Sequence, residues 1–222
     1  MANVTKSNKN NITSPQGNSL AVFVDAVTNE IVLKDIMGNI QPLSDFIEFP
    51  RLNYGLFAQI EDSVPVTGTN VESSLIANGV GSLTVPKNFF SVGDSFNADF
   101  EGVISCLNSS TLHIRVKTLD GILLSDTGII DMDATTSKYW TLNLQFTVRA
   151  IGEAGVASIS SGGVFSYVKN ASNNFDGFVL SNVNNTTFDT TIDNTLLVTA
   201  QWNTNSASNS IFTRNFTLNK VY

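Results

Sequence analysis

The sequence predicts an all-β protein: a C-terminal antiparallel β-sandwich of jelly-roll type preceded by a small N-terminal β-hairpin adaptor. Three observations carry that prediction. From Gly81 onward, strand-like apolar runs are separated by Gly, Asn, Asp and Ser turn signals. Several runs alternate apolar and polar residues with a period of two, the pattern of a strand with one face in a core and one in water. No stretch carries a convincing helical period, and about eight strands over about 140 residues fit two packed antiparallel sheets.

Residues 1–18 are polar, rich in Asn and Ser, and read as a flexible arm to which Lys6 and Lys9 lend mild positive charge. Residues 19–50 read as a hairpin adaptor or anchor. Strands are expected at 20–25 and 30–35 about the Thr28-Asn29 turn signal, then a turn over 37–42 and one helical turn over 43–47 capped by Ser44. Two strands do not stand alone in water, so this segment is expected to dock on a partner, on copies of itself or on the main domain. Residues 51–80, with Pro65, Gly68 and Gly79, read as a connector holding one or two strands such as 54–60.

Residues 81–222 form the expected head. Its strands are placed at 82–85, 95–106, 111–118, 122–130, 139–150, 157–167, 177–180, 196–202 and 211–222. Leu112, Ile114 and Val116 define one inward face; Leu142, Leu144, Phe146 and Val148 a second; and Phe212, Phe216 and Leu218 one side of the last strand, which is expected to be built into a sheet to its end. The adjacent Phe89 and Phe90 point apart if extended, which leaves one of them for a neighbouring subunit. Short strands without disulfide or metal staples make self-association the simplest cover for sheet edges.

Composition narrows the function. The 222 residues carry 19 acidic and 12 basic side chains, a net charge of −7, and only 14% are charged; Asn, Ser and Thr make up roughly a third of the chain. Scarce Lys and Arg argue against nucleic-acid binding by counterion release. The single cysteine, Cys106, excludes an intrachain disulfide, and the single histidine, His113, excludes multi-histidine metal sites and most triads. No cofactor is expected. The N-terminal residues lack an apolar leader and nowhere do 18 apolar residues run together, so neither secretion by a leader nor membrane insertion is expected.

Individual motifs point to structure more than to chemistry. Asp131 and Asp133, with Asp126 nearby, offer oxygen ligands to a hard cation but lack the rest of a calcium loop, and read as an acidic turn. Asp99 and Glu101, two residues apart on a strand, share a face and read as a solvated surface, not as a glycosidase pair across a cleft. His113 falls on the face opposite Leu112 and Ile114 and is expected to be exposed, while Cys106 ends an apolar strand and reads as a small buried hydrophobe. The runs 152–155 and 160–163 read as hairpin turns, since neither opens a helix as a phosphate loop does. The sequons at Asn3, Asn11, Asn108, Asn170, Asn184, Asn185 and Asn215 are the chance product of an Asn-, Ser- and Thr-rich composition. The candidate receptor surface is the pair of Asn-rich loops 170–176 and 182–187 with their neighbours: Tyr167, Asn173, Asn174, Phe175, Phe178, Asn184 and Asn185. Amides hydrogen-bond sugar hydroxyls, and aromatic faces cover the apolar side of a pyranose.

The segments GSLTVP (81–86), SVGDSF (91–96), FTVRAIG (146–152), FDTTIDNTL (188–196) and ASNSI (207–211) resemble the trimeric jelly-roll head modules, C1q- and TNF-like in form, of viral fibres, spikes and virion surface proteins. The resemblance covers residues 80–222, and 20–47 resembles the short β adaptor preceding such heads. It marks a structural module and brings no active site. It implies a homotrimer on a virion surface, bound to other virion proteins through residues 1–50 and exposing its head for host attachment, to a surface glycan or receptor, or for capsid decoration. The alternatives are a cellular or secreted carbohydrate-binding or adhesion module on the same sandwich, and a glycan-cleaving enzyme, which needs a carboxylate pair in a groove.

Overall fold

The computed structural model describes residues 6–8, 12–14, 21–28, 30–34, 37–42 and 54–222. The chain divides into two compact units, 1–52 and 53–222. Every described element is a β-strand.

The N-terminal unit holds a four-stranded sheet in the order β1 (Lys6–Ser7), β2 (Ala21–Asp25), β3 (Ile31–Lys34) and β4 (Ile40–Pro42). The expected hairpin is β2–β3, with Val22 opposite Leu33 and Phe23 opposite Val32. Phe23, Val32 and Leu33 are buried. Asp25 closes the turn: its carboxylate accepts from the Val27 amide at 3.3 Å and the Thr28 hydroxyl at 3.2 Å, and its own N–H donates to the Glu30 carbonyl at 2.8 Å. From the segment read as an arm, β1 pairs parallel with β2. The helical turn expected at 43–47 lies outside the described residues.

The larger unit is a sandwich of two antiparallel sheets. Its strands are β5 (Tyr54–Gln59), β6 (Val66–Thr67), β7 (Ser73–Ser74), β8 (Gly79–Gly81), β9 (Thr84–Val85), β10 (Ser95–Cys106), β11 (Ser110–Thr118), β12 (Leu123–Met132), β13 (Thr135–Ala150), β14 (Ser158–Val168), β15 (Phe175–Asn184), β16 (Asn194–Trp202) and β17 (Ser210–Lys220). The large sheet runs β15-β14-β13-β10-β17-β5-β8, with β6 also on β17; the small one runs β12-β11-β16-β7, with β9 also on β16. Numbering β5, β7, β10, β11, β12, β13, β16 and β17 as strands one to eight, the sheets read six–three–eight–one and five–four–seven–two. That is the interleaved order of a jelly roll. The hairpin β14–β15, between the sixth and seventh strands, extends the large sheet, and β15 reaches the free edge of β12 where Asn184 Nδ2 donates to the Leu123 carbonyl at 3.1 Å. The segment 51–80, read as a connector, thus supplies β5, β6, β7 and most of β8 to the sheets of this unit.

Period-two alternation places the core where the sequence suggested for β11 and β13: Leu112, Ile114, Val116, Leu142, Leu144, Phe146 and Val148 are all buried, and Trp140 continues the β13 row. Phe100 and Phe216 stack at 3.8 Å between centroids, and each buried indole finds a carbonyl, Trp140 Nε1 at Phe212 (3.1 Å) and Trp202 Nε1 at Val66 (2.9 Å). Two expectations are corrected. Phe212 does not share a face with Phe216: Glu101 pairs with Asn215 and Gly102 with Thr213, so Arg214 is an extra residue that reverses the alternation and sends Ile211 and Thr213 inward. Nor is 160–163 a turn. It lies mid-strand in β14, where Gly163 lets the strand press against Asn143 and Leu144 more closely than any Cβ would allow. Phe89 and Phe90 do diverge, Phe90 into the core and Phe89 to the surface.

Candidate functional site

The loop between β14 and β15 is held rigidly by its own sequence. Asn173 adopts a positive φ of 53°, a conformation that Asn tolerates better than most residues, and its N–H donates to the Lys169 carbonyl at 3.0 Å. The Asn170 side chain accepts from the Thr136 amide at 3.1 Å and donates to the Thr136 hydroxyl at 3.3 Å, which ties the loop to the start of β13. The Lys169 ammonium bridges Asp133 (2.7 Å) and Asp176 (3.0 Å), and hydrogen bonds to those two carboxylates raise its pKa. Lys138 Nζ donates to Asn173 Oδ1 at 3.2 Å. Asn173, Asn174 and Phe175 are exposed on this clamped loop, the Phe175 ring by 62%.

The structure does not assemble the other nominated receptor residues around it. Tyr167 is fully buried, and its hydroxyl oxygen accepts from the Asp133 amide at 2.8 Å. Phe178 is half-buried and stacks with Phe165 and Tyr167 at 6.4 Å. Asn184 is a buried scaffold: its Oδ1 accepts from the amides of Thr186, Thr187 and Phe188 at 3.0–3.1 Å. Only Asn185 of that pair is exposed, and it accepts from the Ser158 hydroxyl at 2.7 Å. The two Asn-rich loops stand at opposite ends of the ten-residue strand β15, roughly 30 Å apart at strand rise. They are not one surface.

Apart from the exposed Asp131, each remaining titratable candidate has a structural partner. His113 is not freely exposed: Nε2 lies 3.1 Å from Asp126 and Nδ1 2.7 Å from an Arg115 nitrogen, on the outer face of the small sheet. Arg115 and Lys117 converge on Glu72 at 3.2 and 2.6 Å. Asp126 is thereby turned to His113 and Asp133 to Lys169, and among the described residues no three His, Cys, Asp or Glu side chains gather as a metal site would require. Asp99 accepts from Asn143 at 2.9 Å. Glu101 accepts from the Tyr139 hydroxyl and the Asn215 amide; these bonds hold it below the usual carboxylate range and push Tyr139 up to about 12. Among the described residues no helix is long and apolar enough to cross a membrane.

Two concavities escaped the sequence reading. An apolar cavity of about 260 Å³ opens between the sheets beside the exposed Phe89, walled by Leu83, Val85, Phe90, Phe96 and Phe188. A polar groove of about 550 Å³ crosses the outer face of the large sheet over β10, β13, β14 and β15. Its signal in the sequence was the glycine pair Gly162-Gly163, which reads equally as a turn. No family model, curated protein or solved structure matches the chain.

Proposed function

We propose that this chain is a non-enzymatic structural protein of a virion, a trimeric fibre- or spike-like surface component. In this reading residues 1–50 anchor it to other virion proteins and the jelly-roll head is exposed for host attachment or capsid decoration. The observation that carries the proposal is the pairing of a separate small β unit with a jelly roll. The head presents rigid, side-chain-clamped loops and no arrangement of nucleophile, base and oriented partner, which favours recognition over catalysis. The exposed apolar residues Phe89, Val92 and Tyr222 supply the material of a subunit contact.

The deciding experiment is light scattering on the full-length chain. A mass three times that of the monomer, with a melting temperature that rises with protein concentration, is expected. A monomer across micromolar concentrations overturns the trimeric virion reading. The cellular or secreted carbohydrate-binding module then replaces it, a reading favoured independently by the amide-lined groove on the large sheet.

A further inference from the structure

The polar groove on the outer face of the large sheet has a chemistry of its own. Two cross-strand rows carry it: Asn97, Gln145, Gly162 and Ser181 lie side by side across four strands, and the adjacent row is Asp99, Asn143 and Val164, continued just past the groove by Val179. Gly162 makes the depth. Its φ is not in the left-handed region, and a Cβ there would meet only the Leu180 carbonyl oxygen, at an ordinary 3.6 Å. Neither backbone geometry nor crowding calls for glycine, and glycine in the middle of a strand lowers stability. What its absent side chain provides is open space over the sheet.

The groups around that space are those that bind hydroxyls. The amides of Asn97 and Gln145 face each other across β10 and β13 and have no side-chain hydrogen bond among the described residues. The Asp99 carboxylate is pre-oriented by Asn143 at 2.9 Å. Val164 and Val179, directly opposed on β14 and β15, add an exposed apolar strip beside the polar row. Asp99 is the one charged residue lining the groove, so nothing there neutralises an anionic ligand. A protein interface core would be built from aromatic, Met and Arg side chains, which this groove lacks. Its volume of about 550 Å³ lies in the range of small-ligand sites.

We infer that this groove binds a neutral oligosaccharide, with Asn97, Gln145 and Asp99 hydrogen-bonding its hydroxyls and Val164 and Val179 covering a C–H face. The inference names a ligand class for the attachment role and so rests on the recognition reading above, but on a surface distinct from the loops.

The test uses the full-length chain on a printed array of neutral hexose and N-acetylhexosamine oligosaccharides, with sialylated ones as counter-probes, followed by titration calorimetry on the best neutral binder. Selective retention of neutral glycans is expected. Gly162→Trp, which fills the groove, should abolish it; Gln145→Ala should weaken it about tenfold or more at unchanged melting temperature; and Ile129→Ser, on the other sheet, should leave it unchanged. If Gly162→Trp fails to fold, Asn97→Ala joined to Gln145→Ala decides the matter. A trimer that retains no neutral glycan, or one whose binding survives these groove variants, overturns this inference and leaves the virion reading standing. A monomer that binds through the groove overturns the virion reading alone.

Discussion

Gly102 and Trp140 are direct cross-strand partners on β10 and β13, and the indole lies over the glycine: a Cβ on Gly102 would stand 2.9 Å from Trp140 Nε1. The same Cβ would stand far inside contact distance of the Phe212 carbonyl oxygen, and that oxygen is the acceptor for the indole N–H at 3.1 Å. Gly102→Ala therefore forces apart three strands at the β17 bulge and strands a buried donor. Overpacking and a lost buried hydrogen bond together are expected to cost about 3 kcal/mol, read as a lower urea midpoint with an unchanged slope. An unaltered midpoint would mean that the bulge is free to slide.

The opposite sign is expected one residue pair away. Thr213 is turned into the core by that bulge; its N–H donates to Ser63 Oγ at 2.9 Å, but its own hydroxyl is buried without a partner. Thr213→Val keeps the shape and the backbone bond while removing the orphan oxygen. We expect a gain of about 1 kcal/mol, seen as a raised melting temperature; a loss would show that the hydroxyl has a partner in solution.

These two positions also show where the sequence was legible. The inward row of β11 alternates without interruption, so Leu112, Ile114 and Val116 could be assigned from periodicity alone. On β17 the bulge at Arg214 inverts the phase midway, and no local residue type announces a bulge, so Phe212 was placed on the wrong face. Tyr167 carried a readable signal that its neighbouring Asn-rich loop obscured. It shares the parity of Ile159 and Phe165 on one strand, and both of those are buried. Ser160 to Gly163 could not be told from a turn, because glycines kept for space and glycines kept for φ look alike in a sequence. The groove depends on the register of four strands, which no single stretch of chain encodes.

Acid sensitivity is expected at Glu72. Burial alone would raise its pKa, but hydrogen bonds from Lys117 and Thr199, with the charges of Lys117 and Arg115, outweigh it and leave the carboxyl below its ordinary value. A group depressed on folding contributes fully above its unfolded pKa, about 4.3, and the contribution is lost as pH falls through the lower folded value. At pH 7, Glu72→Gln should cost about 1 kcal/mol, the scale of a partly exposed ion-pair network. The difference in melting temperature between the variant and the wild type should close below about pH 4. A gap that stays constant down to pH 3 would assign the loss to packing, not to charge.

Cys106 supplies the last prediction. It sits 4% exposed at the end of β10 with Sγ 3.3 Å from the Asp133 carbonyl oxygen, and burial above all pushes its pKa up to about 11. At pH 8 only about one molecule in a thousand then carries the thiolate, the form that attacks a disulfide reagent. Native protein should leave Ellman's reagent unreacted over minutes and release one equivalent in urea, at a rate set by unfolding. The same shift makes folding stability fall as pH rises from about 8.5 toward 11, because the unfolded chain ionises first. Cys106→Ala should trade that alkaline loss for a smaller, pH-independent cost of lost packing. Rapid stoichiometric labelling of the native protein would show that β10 and the start of β13 open far more readily than their paired register implies.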